Sequence, residues 1–168
     1  MSRDGFGIRL AREGDYAALG PVFDEAESYH REALPHIFGR PEGPFPPLSL
    51  FLQWVSEEGS AVFVADDAGD LVGFVTVRTD STPAEGIRQP RTIAVVDTLA
   101  VRSDRRRCGA GRALMAAVHG WAQERGLGHV SLNVWEFNRP GLDFYVALGY
   151  RTANRRMECS LPSPSPQA

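Results

Sequence analysis

The chain has 168 residues, 43% hydrophobic and 23% charged, with a formal net charge of −3 at pH 7. That is long enough to bury a core without a metal or disulfide staple, and the composition excludes wholesale disorder, collagen and coiled coil. No apolar run approaches a membrane span, the N-terminus shows no apolar leader, and the two cysteines, Cys108 and Cys159, suit neither a disulfide framework nor a metal site.

Phe6 to Ala11 reads as a short first strand. Asp15 then fits an N-cap, and Leu19, Phe23, Ala26, His30 and Ala33 follow at helical spacing. Gly20-Pro21 inside that run predicts a kink or a late start. Residues 38–47 hold four prolines and two glycines and form a loop. Leu48 to Glu58 reads as a second short helix. Ala61 to Asp66 and Leu71 to Thr79 are strand-like, and Asp67-Ala68-Gly69-Asp70 joins them as an antiparallel hairpin. Ser81 to Arg91 is a loop. Thr92 to Val101 is a β-branched run, interrupted by Asp97 and Thr98, and reads as a central strand. A helix from about Gly109 to Arg125 places Leu114, Val118 and Trp121 on one face and stops at Gly126. His129 to Val134 is a further strand. Asn138 caps a last helix that ends at Gly149, and Tyr150 to Leu161 follows as a last strand. The order predicts an α/β fold with a mixed central sheet flanked by helices on both faces. One domain over 1–161 is expected, soluble and cytoplasmic, with a disordered tail at 162–168.

All 18 basic residues are arginine. Five of them, Arg102, Arg105, Arg106, Arg107 and Arg112, crowd into one short segment of an otherwise acidic chain. A compact basic loop suits one small polyanion rather than a long nucleic-acid groove. Gly109 and Gly111 stand where the chain leaves a strand and opens a helix. Backbone N–H groups there can crowd around an anion, and the helix N-terminus adds positive potential. Consecutive arginines add charge-assisted bonds to phosphate. A plain helix start with solvated arginines is the alternative. A dinucleotide fingerprint fails because Leu114 occupies the third glycine position, and a Walker A loop fails for want of lysine. Other cofactors carrying a pyrophosphate remain.

Arg106-Arg107-Cys108-Gly109-Ala110-Gly111, following Leu99-Ala100-Val101, resembles the Arg/Gln-x-x-Gly-x-Gly/Ala signature of the GNAT N-acetyltransferase superfamily. Asn138, with Phe144-Tyr145-x-x-Leu148-Gly149-Tyr150, is similar to that family's second signature, Asn…Phe-Tyr-x-x-Leu-Gly-Phe. The resemblance covers residues 60 to 160 well and the first 60 weakly. Gly141 stands where alanine is usual, Pro140 precedes it, and Cys108 takes a position often held by lysine or arginine.

The resemblance implies the GNAT (acyl-CoA N-acyltransferase) fold and an enzyme that uses acetyl-CoA and no metal. It implies that Arg106 and the backbone at Arg107, Cys108, Gly109, Ala110, Gly111 and Arg112 cradle the CoA pyrophosphate. The main chain at Leu99, Ala100 and Val101 would pair with the pantetheine arm like an added strand, and Asn138 would bond to the same arm. A splay between the central strand and the one at His129 to Val134 would make room for it. Tyr145 takes the general-acid position; a core tyrosine on a helix face is the alternative. Asp97 stands where many members place a glutamate that acts as base, often through water; a structural ion pair with an arginine is the alternative. Glu136 is a second candidate base. Glu27 and His30 on the first helix, with Trp135, are candidates for the acceptor pocket, and each also reads as packing. Cys108 at a cationic helix start is expected to be reactive and shielded by CoA.

The implied reaction is direct attack of a primary amine, on a small molecule or peptide, upon the thioester in a ternary complex. A CoA-binding sensor without turnover and a protein N-terminal acetyltransferase are the alternatives. Neither nucleic acid nor membrane is expected as a partner. A monomer or homodimer is expected, the latter through pairing of an exposed last strand.

Overall fold

The computed structural model describes residues 7–159 and 161. Phe6 and the expected tail at 162–168 lie outside the described residues. The chain divides into two compact units, one ending at Asn133 and one beginning at Val134.

The first unit holds five strands in spatial order, β1 (Gly7–Leu10), β2 (Ser60–Asp67), β3 (Asp70–Thr82), β4 (Arg91–Val101) and β5 (Val130–Leu132). Neighbours from β1 to β4 pair antiparallel, and β5 runs parallel to β4. The sheet is therefore mixed. Helices α1 (Tyr16–Ala33), α2 (Leu48–Ser56) and α3 (Ala110–Glu124) belong to the same unit. The parallel step from β4 to β5 passes through α3, as a parallel pair requires a crossover.

The β3 run Leu71 to Val77 is buried at seven consecutive positions. Side chains of a strand alternate between faces, so continuous burial means both faces are covered. On one face Leu19, Val22 and Phe23 of α1 and Phe51 of α2 cluster with Val62, Val64, Leu71 and Phe74. Phe23 and Phe74 meet edge to face at 4.7 Å, a favoured aromatic geometry. Ala61 and Ala65 point the other way from Val62 and Val64 and are also buried. They lie on the α3 side, where Leu114, Met115, Val118 and Trp121 face inward at helical spacing.

Several expectations are corrected. Asp15 takes the N-cap position of α1, but its carboxylate makes no cap bond there. It grips the Arg9 guanidinium at 2.7 and 2.9 Å and the Arg12 N–H at 2.7 Å instead. Two bonds to a guanidinium and one to a backbone N–H take the place of a single cap bond. Helix α1 starts at Tyr16 and runs through Pro21 without a late start.

In the second unit α4 (Arg139–Ala147) forms as expected, but the last strand does not. No described residue from Tyr150 onward is in a strand, and those from Arg151 onward are all exposed. A strand is held by a neighbour's ladder and a half-buried face. Arg151, Arg155 and Arg156 are exposed instead.

Candidate active site

Strand β4 organises the first unit's candidate groups. Its register against β3 runs Thr76 to Thr98 and then Val77 to Val96, so Asp97 is the extra residue of a β-bulge. A bulge re-aims a side chain and leaves a residue out of the ladder. The Thr98 N–H is satisfied by the Thr76 hydroxyl at 3.0 Å, and Thr76 is buried. On the opposite edge, β4 pairs with β5 only from Ala94 to Val96. From Asp97 to Val101 that edge has no partner strand among the described residues. No strand among the described residues pairs with Leu99, Ala100 and Val101 on this side, and the Val101 carbonyl accepts from Arg106 Nε instead.

The strand then enters the arginine loop, where three of the five arginines are already paired. Arg102 holds Asp70 through two bonds of 2.9 and 2.8 Å and Asp104 at 2.6 Å. Arg105 bonds Asp67 at 2.7 Å. Arg106 bonds Glu25 of α1 at 2.9 Å and the Val101 carbonyl at 3.1 Å. Glu25 also accepts the Ser103 N–H at 3.1 Å. Arg107 and Arg112 have no ion-pair partner among the described residues. These pairs fasten the loop to the β2–β3 hairpin and to α1, so Arg102, Arg105 and Arg106 serve as anchors within the chain.

The backbone beyond Arg106 is left for something else. Arg107 and Gly109 both have left-handed φ, +64° and +94°. Glycine makes that conformation at little cost, and a side chain at 109 would meet open space. Arg107 adopts it without that freedom, a conformation that costs about 1–2 kcal/mol and is held only where surroundings fix it. Helix α3 opens here, and the first N–H groups of a helix have no partner within it. Left-handed residues beside a helix N-terminus make a concavity of donors, so an anionic phosphate fits the segment from Arg107 to Arg112. The exposed Cys108 thiol at its lip donates to the Arg105 carbonyl.

Asp97 is about half exposed and bonds Arg78 at 3.1 Å, and Arg78 also bonds Asp80 at 2.9 Å. Burial is the largest influence on the Asp97 carboxyl and lifts it above the ordinary range, against the opposing pull of Arg78. The carboxylate lines a cleft of about 170 Å³ with Gln53, Trp54, Glu57, Thr76 and Arg78 among its walls.

In the second unit the Asn138 side chain accepts the Gly141 N–H at 3.0 Å and caps α4, with Pro140 in its first turn. A Cβ on residue 141 would come within 2.6 Å of the Asn138 carboxamide. Glycine at this position, a departure from the family pattern, thus leaves room for this cap. At the far end the Gly149 N–H donates to Val146 and the Tyr150 N–H to Tyr145. Gly149 has φ +90°. That is a Schellman stop, and it brings residues C″ and C3, here Tyr150 and Tyr145, into contact. The Tyr-x-x-Leu-Gly-Tyr pattern is a helix-ending device that fixes Tyr145. Burial, with a smaller contribution from Tyr150, pushes the Tyr145 hydroxyl up to about 12.

The remaining candidates are placed as follows. Glu27 and His30 are half-buried on α1. His30 Nδ1 lies 2.9 Å from the Ala26 carbonyl, with its ring 5.4 Å from Phe38, which is a packed arrangement. Trp135 is 40% exposed and stacks on Phe137. Glu136 pairs with Arg139 and Arg155 and is exposed. Sequence reasoning missed Glu25, Arg78 and Glu57. A lone arginine in the apolar β3 run was the available signal for Arg78; nothing local marked the other two.

Residues 23–150 match the family model described as the acetyltransferase (GNAT) family. The chain belongs to this family. It is similar to an N-acetyltransferase of Bacillus subtilis (strain 168), YhfO, named as uncharacterized, with 25% identity over 144 residues, 85% of this chain and 88% of that one. It is similar to BH1408 protein from Bacillus halodurans, in a tetramutant structure, with 27% identity, TM-score 0.87, and coverage of 92% of this chain and 99% of that one. A third similar structure is an aminoglycoside acetyltransferase, meta-AAC0020, from an uncultured soil metagenomic sample, in complex with sisomicin. Its TM-score is 0.67 at 19% identity, covering 94% of this chain and 97% of that one, and it shows the shared fold. The sheet and helices are thus those of a GNAT acyltransferase, a family that uses acetyl-CoA as cosubstrate. Among the described residues no group of three or more His, Cys, Asp or Glu could hold a metal ion, and no helix is long and apolar enough to cross a membrane.

Proposed function

We propose that this GNAT protein is an acetyl-CoA-dependent N-acetyltransferase acting on a primary amine of a small molecule or peptide, by direct attack in a ternary complex. The observation that carries the reading lies in β4. The strand loses its β5 partner at the bulge bearing Asp97 and leads from there to the donor concavity at Arg107 to Arg112. One extended ligand with a pyrophosphate would use both, its amides along Leu99, Ala100 and Val101 and its charge at the loop.

Acetyl-CoA supplies an acetyl group activated as a thioester. An amine arrives mostly protonated, with an ordinary pKa of about 10, and must lose a proton to attack. Asp97 takes that proton, directly or through one water. The C–N bond forms, the nitrogen gives its second proton to solvent, the C–S bond breaks, and the electron pair leaves on sulfur. Tyr145, held protonated, donates to that sulfur. A thiolate, with an ordinary pKa of about 8.5, is a weaker base than tyrosinate. The contribution of Tyr145 is therefore a hydrogen bond kept through C–S cleavage, with the proton crossing as solvent resupplies the oxygen. Asn138 bonds the pantetheine arm, and Glu27, His30 and Trp135 are proposed for the acceptor side.

Calorimetry with acetyl-CoA tests the cradle. The intact protein should bind, and an Arg106→Ala/Gly109→Asp variant should not. A heat-silent titration of the intact protein would remove the basis of this reading. Release of CoA thiol across a set of amines then tests turnover.

A further inference from the structure

We propose that the cleft beside Asp97 receives the reacting end of a compact amine that arrives as a cation and carries no carboxylate next to its nitrogen, with Glu57 holding the charge. The inference rests on the N-acetyltransferase reading and names the acceptor class that this site would take.

The size of the cleft sets the first limit. It encloses about 170 Å³. A cavity of about 150 Å³ accepts benzene, so the cleft admits a group of about six to eight heavy atoms. Trp54 supplies a wall that is packed against the core cluster of α1 and α2, so it is a fixed surface. An aromatic face there suits an apolar stem and attracts an ammonium.

The second limit is charge. Glu57 is the C-cap residue of α2, and no basic residue stands in that helix's last turn. A carboxylate at a helix C-terminus opposes the dipole, because unpaired carbonyls already make that end negative. Local rules are broken in this way where function requires it. Among the described residues the Glu57 carboxylate receives only a long 3.4 Å contact from Gln53 Nε2. Arg78 is the one guanidinium in the lining, and it is shared between Asp80 at 2.9 Å and Asp97 at 3.1 Å. The charge left over is negative, on Glu57 and on a half-exposed Asp97. An ammonium entering between them is stabilised and stands beside the group that would deprotonate it. An α-carboxylate on the same molecule would be set against both side chains. Burial of Asp97 acts in the same direction, since an entering cation would relieve it.

Phenethylamine and L-phenylalanine form a matched pair that differs by the carboxylate next to nitrogen. With saturating acetyl-CoA, kcat/KM for phenethylamine should exceed that for phenylalanine by about tenfold or more. Glu57→Gln should raise KM for phenethylamine about tenfold, with kcat changed by less than about twofold. Glu57→Asp should recover part of the loss. The acetyl-CoA Kd of both variants should match that of the unchanged protein, which shows the fold is intact.

A preference for phenylalanine, a KM indifferent to Glu57→Gln, or no turnover of phenethylamine, benzylamine or putrescine overturns this inference while acetyl-CoA binding still stands. Failure of the unchanged protein to bind acetyl-CoA overturns the underlying reading as well, and calorimetry shows it before any amine is added.

Discussion

The rings of Tyr145 and Tyr150 meet at 5.7 Å and 66°, closed against each other by the turn at Gly149. Burial pushes both hydroxyls up to about 12. Each value lies above the ordinary value of about 10, so the folded chain keeps protons that the unfolded chain releases in between. Stability is therefore fully present below pH of about 10 and lost as pH rises toward about 12. Urea midpoints recorded across that window should fall, and Tyr145→Phe and Tyr150→Phe should each make the fall shallower. An identical slope in both variants would place its source elsewhere.

Tyr145→Phe also separates binding from chemistry. It keeps the ring contact and removes the donor. The acetyl-CoA Kd should be unchanged, and kcat should drop by about 100-fold or more. Loss of binding without loss of kcat would make Tyr145 a packing residue.

Asp97 must be ionised to act as a base. Because burial lifts its carboxyl, the acid limb of kcat/KM should lie above the ordinary aspartate value of about 4. Arg78 pulls the other way, so Arg78→Ala should move that limb to still higher pH. Asp97→Asn should abolish the limb and lower kcat about 100-fold. A limb that ignores Arg78→Ala belongs to another group.

Thr76→Val keeps the shape of a buried side chain and takes away the acceptor for the Thr98 N–H. An orphaned donor costs about 1–3 kcal/mol. Thr76→Ser should restore most of it. Equal urea midpoints for Val and Ser would show that the bulge does not need this bond.

Gly141→Ala sets two effects against each other. Alanine favours the helix by about 1 kcal/mol, while expelling the Asn138 carboxamide loses a cap of similar size. The melting temperature should hardly move, but acetyl-CoA affinity should weaken if Asn138 contacts the pantetheine arm. Tight binding in the variant would detach Asn138 from that role.

Much of this was legible because burial on both faces leaves a nearly unbroken apolar run, as in β3. Gly109 and Gly149 were legible because a left-handed backbone selects glycine. Asp97 could be seen as out of place, yet its bulge could not, since a run of letters carries no register. The Glu25 bonds to Ser103 and Arg106 span separations of 78 and 81 residues, and nothing near Glu25 hints at them. Tyr150 to Leu161 misled for a related reason. Strand-like letters do not make a strand without a neighbour to pair with.

The bulge at Asp97 also divides labour along one strand. The cleft walls of Trp54 and Glu57 hang from α2, while the donor concavity hangs from the turn into α3. Strand β4 runs from one to the other. The last turn of α2 is therefore a place where acceptor preference can be rewritten by substitution while the grip on the acyl donor stays as it is, so the scaffold lends itself to retargeting one helix end at a time.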